Sequence, residues 1–218
     1  MRPTLIMLLA IAPILYQETR AMPFSGNFST HLTRVSDNRP VLIVPGLRNS
    51  DQQHWQTLWQ NHLPNASRIE LDHWDKPDLA KWQNAIRKSL DAATEPVIVI
   101  AHSFGTLASA SLAAEYADKI IALFLVAPAD PDKFSIAAQL PQHILPTETK
   151  IIASSNDPWM TDSKAAYWAL QWGADFLRLK NAGHINSDSS LGLWPEGVHE
   201  LQQLLLKARR NLNNHRAA

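Results

Sequence analysis

Residues 97–106, Val-Ile-Val-Ile-Ala-His-Ser-Phe-Gly-Thr, decide the architecture. Four β-branched residues in a row, Val97 to Ile100, read as a strand buried on both faces, because a strand with one wet face would alternate apolar and polar residues. The run ends in a five-residue turn centred on Ser103, and small residues then continue as a helix over 106–116. Strand, serine turn and helix together describe an elbow that projects the serine hydroxyl from a strained backbone. The positions two residues to either side must be small for the turn to pack, and they are Ala101, where Gly is the commoner choice, and Gly105. Working outward, residues 41–44, 120–126 and 151–153 are further continuous apolar runs, and 68–71 and 176–179 read as shorter extended segments. Helical patterns lie between them. Trp55, Leu58, Trp59 and Leu63 share one face over 54–63, and Asp78 caps a helix carrying Leu79, Trp82, Ile86 and Leu90. Residues 162–172 and 194–210 also read as helices, while Pro128, Pro131, Pro141 and Pro146 make 129–149 mostly irregular. Buried strands alternating with helices predict an α/β chain whose parallel sheet is covered on both faces.

In such sheets the chemically active groups collect in the loops that follow the C-terminal ends of strands. Three side chains in those loops form a chemically sensible set. Ser103 follows the third strand, Asp157 follows the strand ending at Ala153, and His184 follows the strand ending at Leu179. That is the order Ser, acid, His of an α/β-hydrolase triad, with His184 as general base and Asp157 orienting its imidazole. Asp130, in the loop after the preceding strand, is the competing acid, with a loop or helix cap as its other reading. Two backbone amides are needed to hold a developing oxyanion, and Phe104 and Leu47 are the candidates. Only 7 glycines occur in 218 residues, and Gly46, Gly105 and Gly183 all fall within two positions of Leu47, Ser103 and His184.

Composition narrows the alternatives. Lys plus Arg total 20 against 20 Asp plus Glu, so the chain lacks the basic footprint of a nucleic-acid partner. No cysteine is present, which excludes disulfides, thiolate metal sites and a cysteine nucleophile. The histidines show no zinc-site spacing and no phosphate-binding glycine motif occurs, so neither metal nor cofactor is expected. At the N-terminus, Arg2 precedes an apolar run over 5–16, long enough for a signal peptide but short of the ~20 residues of a spanning helix. Pro13 interrupts it, and Glu18, Thr19 and Arg20 precede the candidate cleavage site at Ala21. Residues 1–39 are therefore read as leader and linker, either a signal peptide or an extension with Met22 as the true start. Residues 40–210 are read as one domain and 211–218 as a flexible tail. No stable membrane anchor is expected; the expected location is cytoplasmic, with export as the alternative.

The segments VLIVPGL, NSDQQHWQTLWQ, AHSFG, LVAPAD, SSNDPW, WGA, AGHIN and LWPEG occur in that order over about residues 40–206. In this set the chain resembles the small serine-hydrolase family that includes retinoblastoma-binding protein 9. The resemblance implies a three-layer α/β/α hydrolase-type fold with a mostly parallel sheet and minimal lid, and a triad carried here by Ser103, Asp157 and His184. The expected activity is cleavage of a small ester, thioester or amide through an acyl-serine, with a small acyl compound as the partner. A hydrolase-fold binding protein and an acyltransferase are the alternatives, and the oligomeric state is left open. His54, Trp55 and Trp159 are candidate pocket residues, although a Trp at helical spacing is more often core. His102 is read as a packing or hydrogen-bonding residue, and Asn186 as a brace for the His184 loop.

Overall fold

The computed structural model describes residues 27–217 of the chain. The apolar run over 5–16 and the candidate cleavage and start sites lie outside them. Six strands, β1 (Val41–Val44), β2 (Ala66–Arg68), β3 (Val97–His102), β4 (Ile120–Val126), β5 (Thr149–Ser154) and β6 (Asp175–Leu179), form one sheet in the order β2-β1-β3-β4-β5-β6. Every neighbouring pair is parallel. The helices are α1 (Phe28–Val35), α2 (Trp55–His62), α3 (Leu79–Ala92), α4 (Phe104–Ser111), α5 (Asp162–Trp172) and α6 (Pro195–Ala217).

The period of two along each strand divides the core. Leu42, Val44, Val99 and Leu125 meet Trp82 and Ile86 of α3, Leu107 of α4 and Trp172 of α5. Their neighbours Ile43, Ile98, Ile100 and Phe124 meet Leu32 of α1, Trp59 of α2 and Leu201 of α6. The result is a three-layer α/β/α sandwich, as the apolar runs predict. The chain passes from β1 outward to β2, then crosses back to β3 on the other side of β1. Strand order therefore reverses between β1 and β3, which opens a crevice at their carboxyl ends. Residues 45–47 and Ser103 sit at that crevice. Among the described residues no helix is long and apolar enough to cross a membrane.

Several boundaries differ from the sequence reading. Residues 28–35, read as part of a linker, form a helix capped by Asn27, whose side chain accepts from the Ser29 amide at 3.0 Å. Leu32 and Val35 point one turn apart into the core, and Ser29 Oγ donates to the His62 carbonyl at 2.7 Å. Three apolar residues in eight, two of them buried, carry little sequence signal; contact with α2 and α6 holds this helix. Leu32→Ala is expected to lower unfolding free energy by about 2–5 kcal/mol, the cost of emptying a closed core site, as read from urea denaturation. The second strand is Ala66–Arg68 instead of 68–71, because β2 is an edge strand that needs no continuous apolar run. α4 begins directly after the serine and stops at Ser111, where bonds such as Leu112 N–H to the Ser109 carbonyl tighten the chain into turns. At the other end α6 continues through the expected tail to Ala217, with no Gly or Pro after Arg210 to stop it. Asn211 Nδ2 donates to Glu148, which ties the added turns down. The Pro-rich stretch holds two single-turn 3₁₀ helices, Pro131–Phe134 and Ala137–Gln139.

Candidate active site

Ser103 has φ 53° and ψ −123°, a conformation that costs a non-glycine residue about 1–3 kcal/mol. Its peptide groups are held on both sides. The Ser103 amide donates to the Val126 carbonyl at 3.0 Å, and its carbonyl accepts from Thr106 Oγ1 at 2.7 Å and the Thr106 amide at 3.0 Å. The close approach is made by Gly46 and Gly105. A Cβ on Gly46 would lie 2.6 Å from the Ser103 Cβ, and one on Gly105 would lie 2.5 Å from the Val44 carbonyl oxygen.

The hydroxyl so placed meets the two residues selected from the later loops. His184 Nε2 lies 3.0 Å from Ser103 Oγ, and His184 Nδ1 lies 2.8 Å and 3.0 Å from the two carboxylate oxygens of Asp157. The Asp157 side chain is only 3% exposed, and its Oδ1 also accepts from the Trp159 amide at 2.9 Å. Asp130 is engaged elsewhere, 2.5 Å from Lys164 Nζ and capping the turn at Asp132. Leu47 and Phe104 come from the two sides of the crevice, and among the described residues neither amide donates to a protein acceptor. The Phe104 amide nitrogen lies 3.1 Å from the place a Cβ on Gly46 would take, and α4 adds the positive end of its dipole. Among the described residues no group of three His, Cys, Asp or Glu is disposed to hold a metal ion.

Side chains that orient the loops carry weaker sequence signals. Arg68 on β2 is half-buried and, among the described residues, has no carboxylate partner; it donates to Asn49 Oδ1 at 2.8 Å, the Ser50 carbonyl at 3.1 Å and Thr57 Oγ1 at 2.7 Å. It thereby pins the loop that carries Leu47, and burial lowers its pKa. Ser154 Oγ accepts from the Ala182 amide at 2.9 Å and Asn156 Oδ1 from the Gly183 amide at 2.8 Å, which joins the Asp157 loop to the His184 loop. Ile185, buried at φ 50°, plugs the second core directly beneath His184. A Ser-Ser-Asn run before the acid and one apolar residue after the His were the only signals for these braces. Asn186 does brace the loop, through its backbone: its amide donates to Ser189 Oγ at 3.2 Å.

The pocket expectations need correction at two of three positions. Trp55 is 1% exposed and its Nε1 donates to the Ile185 carbonyl at 2.8 Å, so it supports the His184 loop from within the core. His54 is buried as well, its Nδ1 accepting from the Gln56 amide at 3.1 Å to cap α2. Aromatic residues at the start of α2 face the sheet, so neither side chain walls the crevice. Trp159 is 56% exposed with its ring 6.3 Å from the His184 ring, beside the site.

Burial, partly offset by Asp51, lowers the His54 pKa to about 4 from 6.5, and burial pushes His102 well below its usual value. A folded-state pKa below the unfolded one means that the unfolded chain binds more protons. Stability is therefore full above pH 6.5 and is lost as pH falls towards 4, by roughly 3 kcal/mol through His54 alone. Urea unfolding at pH 7 and 4.5 is expected to show this loss, and His54→Phe to remove much of it.

Comparison with known proteins assigns the family. A model described as serine hydrolase matches residues 41–203. The chain belongs to the serine hydrolase family. The hydrolase is similar to a putative YdeN-like hydrolase from Pectobacterium atrosepticum, with 38% identity, TM-score 0.78, and coverage of 83% of this chain and 98% of the other. The ydeN product of B. subtilis shares the fold at 19% identity and TM-score 0.64, over 76% of this chain and 98% of that one. Est1E of Butyrivibrio proteoclasticus, solved with ferulic acid bound, aligns at 13% identity and TM-score 0.60, over 78% of this chain and 90% of its own. Among curated proteins none matches the hydrolase in sequence.

Proposed function

We propose that the hydrolase cleaves a small ester, thioester or amide through an acyl-enzyme formed on Ser103. One observation carries this reading: an unbroken contact from Asp157 through both ring nitrogens of His184 to Ser103 Oγ. In the first half-reaction His184 Nε2 takes the hydroxyl proton while Oγ attacks the substrate carbonyl carbon. Negative charge moves to the carbonyl oxygen, where the Leu47 and Phe104 amides and the N-terminus of α4 stabilise it. Collapse of this tetrahedral species expels the leaving group, which receives the proton from His184. A water molecule, deprotonated by His184, then attacks the acyl-serine and releases the acid, restoring Ser103. Asp157 remains ionised throughout and holds the Nδ1 proton.

Two 3₁₀ turns stand where a helical lid would be, which supports small, solvent-delivered substrates and access of water to the acyl-serine. Action in the cytoplasm belongs to the same reading, and mass spectrometry of the native N-terminus tests it against export. For the chemistry, the test is labelling of the purified chain by a fluorophosphonate probe beside Ser103→Ala and His184→Ala. Labelling of the unaltered protein alone is the expected result; failure of well-folded protein to label overturns the acyl-serine reading.

A further inference from the structure

His102 is the last residue of β3 and the chain neighbour of Ser103, yet its side chain reaches the loop that follows β6. Its Nε2 lies 2.9 Å from the backbone carbonyl oxygen of His184. A carbonyl only accepts, so Nε2 carries the ring proton and donates it there. The distance to be bridged is large. β6 lies three positions from β3 in the sheet, about 14 Å at a strand spacing of about 4.8 Å, and the His184 loop must return across β4 and β5 to meet the serine. Resting on the reading of Ser103, His184 and Asp157 above, we propose that His102 is a positioning residue that ties the base loop to the nucleophile strand and sets the spacing of Ser103 Oγ and His184 Nε2.

The surroundings of His102 suit a fixed tie. Its ring meets the His184 ring at 4.9 Å and 62°, and on its other side the His54 ring at 4.8 Å and 74° and the Trp55 ring at 6.4 Å and 80°. Packing on both sides fixes one rotamer, and burial keeps the ring neutral, so the single proton stays on the nitrogen that faces the carbonyl. Trp55 Nε1 holds the next carbonyl, that of Ile185, at 2.8 Å. Two successive carbonyls of the base loop are thus anchored from the β3–α2 side. His102 is not placed as a second base: the ring nitrogen in contact with Ser103 Oγ is His184 Nε2, and His102 Nε2 faces a backbone oxygen.

The test uses the full chain and two substitutions. His102→Met keeps bulk and removes the donor, while His102→Gln restores an N–H at the end of the side chain. With p-nitrophenyl acetate, His102→Met is expected to lose about 100-fold in kcat, the scale of a misplacement near 1 Å, with KM within about twofold and the fluorophosphonate reaction slowed in parallel. His102→Gln is expected to recover at least about tenfold of that loss. Imidazole ¹⁵N spectra of the same proteins, which need no turnover, are expected to lose the sharp His184 Nδ1–H signal in His102→Met and regain it in His102→Gln. Unchanged kcat and an unchanged His184 signal in His102→Met overturn the tie, as does a His102→Gln protein no better than His102→Met. An unaltered protein that neither labels nor turns over overturns the acyl-serine reading instead, and the spectra then still decide whether His102 holds His184.

Discussion

Ser103→Ala is expected to remove fluorophosphonate labelling entirely and to lower kcat for a p-nitrophenyl ester by about 10⁴- to 10⁶-fold, leaving the residual rate of a site that has only its oxyanion amides. The physical ground is that, among the described residues, Ser103 Oγ is the hydroxyl in hydrogen-bond contact with the His184 ring. No cysteine exists in the chain, Thr106 Oγ1 is committed to the Ser103 carbonyl, and His102 Nε2 to the His184 carbonyl. His184→Ala is expected to cost about as much, because the two residues act as a unit, and the double variant to fall little further. Asp157→Asn tests the orienting role separately. An amide can present an N–H to Nδ1 and hold the wrong tautomer, so a loss of about 10⁴-fold in kcat is expected with little change in KM. Steady-state kinetics of the four proteins check all of this. A Ser103→Ala protein retaining a tenth of the unaltered activity would place the chemistry elsewhere.

Gly46→Ala is the second large effect, and it works without touching any of those side chains. The added methyl would lie 2.6 Å from the Ser103 Cβ and 3.1 Å from the Phe104 amide nitrogen, both parts of the elbow itself. Neither neighbour is the free end of a flexible side chain, so either the loop after β1 or the serine must move. Both carry chemistry, and a displacement near 1 Å is worth about 100-fold in rate. Gly46→Ala is therefore expected to reduce kcat by about 100-fold and stability by about 1–3 kcal/mol, the usual cost of overpacking. Gly192→Ala is the contrasting control: apart from its chain neighbours nothing lies within 4 Å of a Cβ there, but its φ of 57° strains an alanine, so a loss of about 1 kcal/mol in stability with unchanged kcat is expected. Kinetics and urea midpoints of the two variants, compared side by side, separate the clash at the elbow from loss of a flexible residue in general.

The residues that touch in the site were legible because their elements advertise themselves. β3 and β5 are buried on both faces, so their apolar runs stand out and point directly to the loops holding Ser103 and Asp157. β6 is only partly buried, yet Phe176 and Leu177 suffice to place His184 after it. Where the signal is weak, the reading strays. The edge strand β2 was displaced by two residues, and α1 was missed because only Leu32 and Val35 of its eight residues are buried. Trp55 was unreadable for a different reason. Its helical spacing fits either a pocket wall or a core residue, and the direction of α2 relative to the sheet decides between them.

Local sequence by itself determined the buried central strands and most of the helices between them, that the sheet is parallel and doubly covered, and that a strained turn would present Ser103. Those properties depend on periodicity and on neighbours within a few positions, which are written in the chain. The meeting of Ser103, His184 and Asp157 at hydrogen-bond distance was decided only by the tertiary structure, as were the Arg68 clamp and the reach of His102 to the His184 carbonyl. Each of these contacts joins residues from different strand ends, so its geometry follows from strand order, sheet spacing and helix packing, and none of those is a local property.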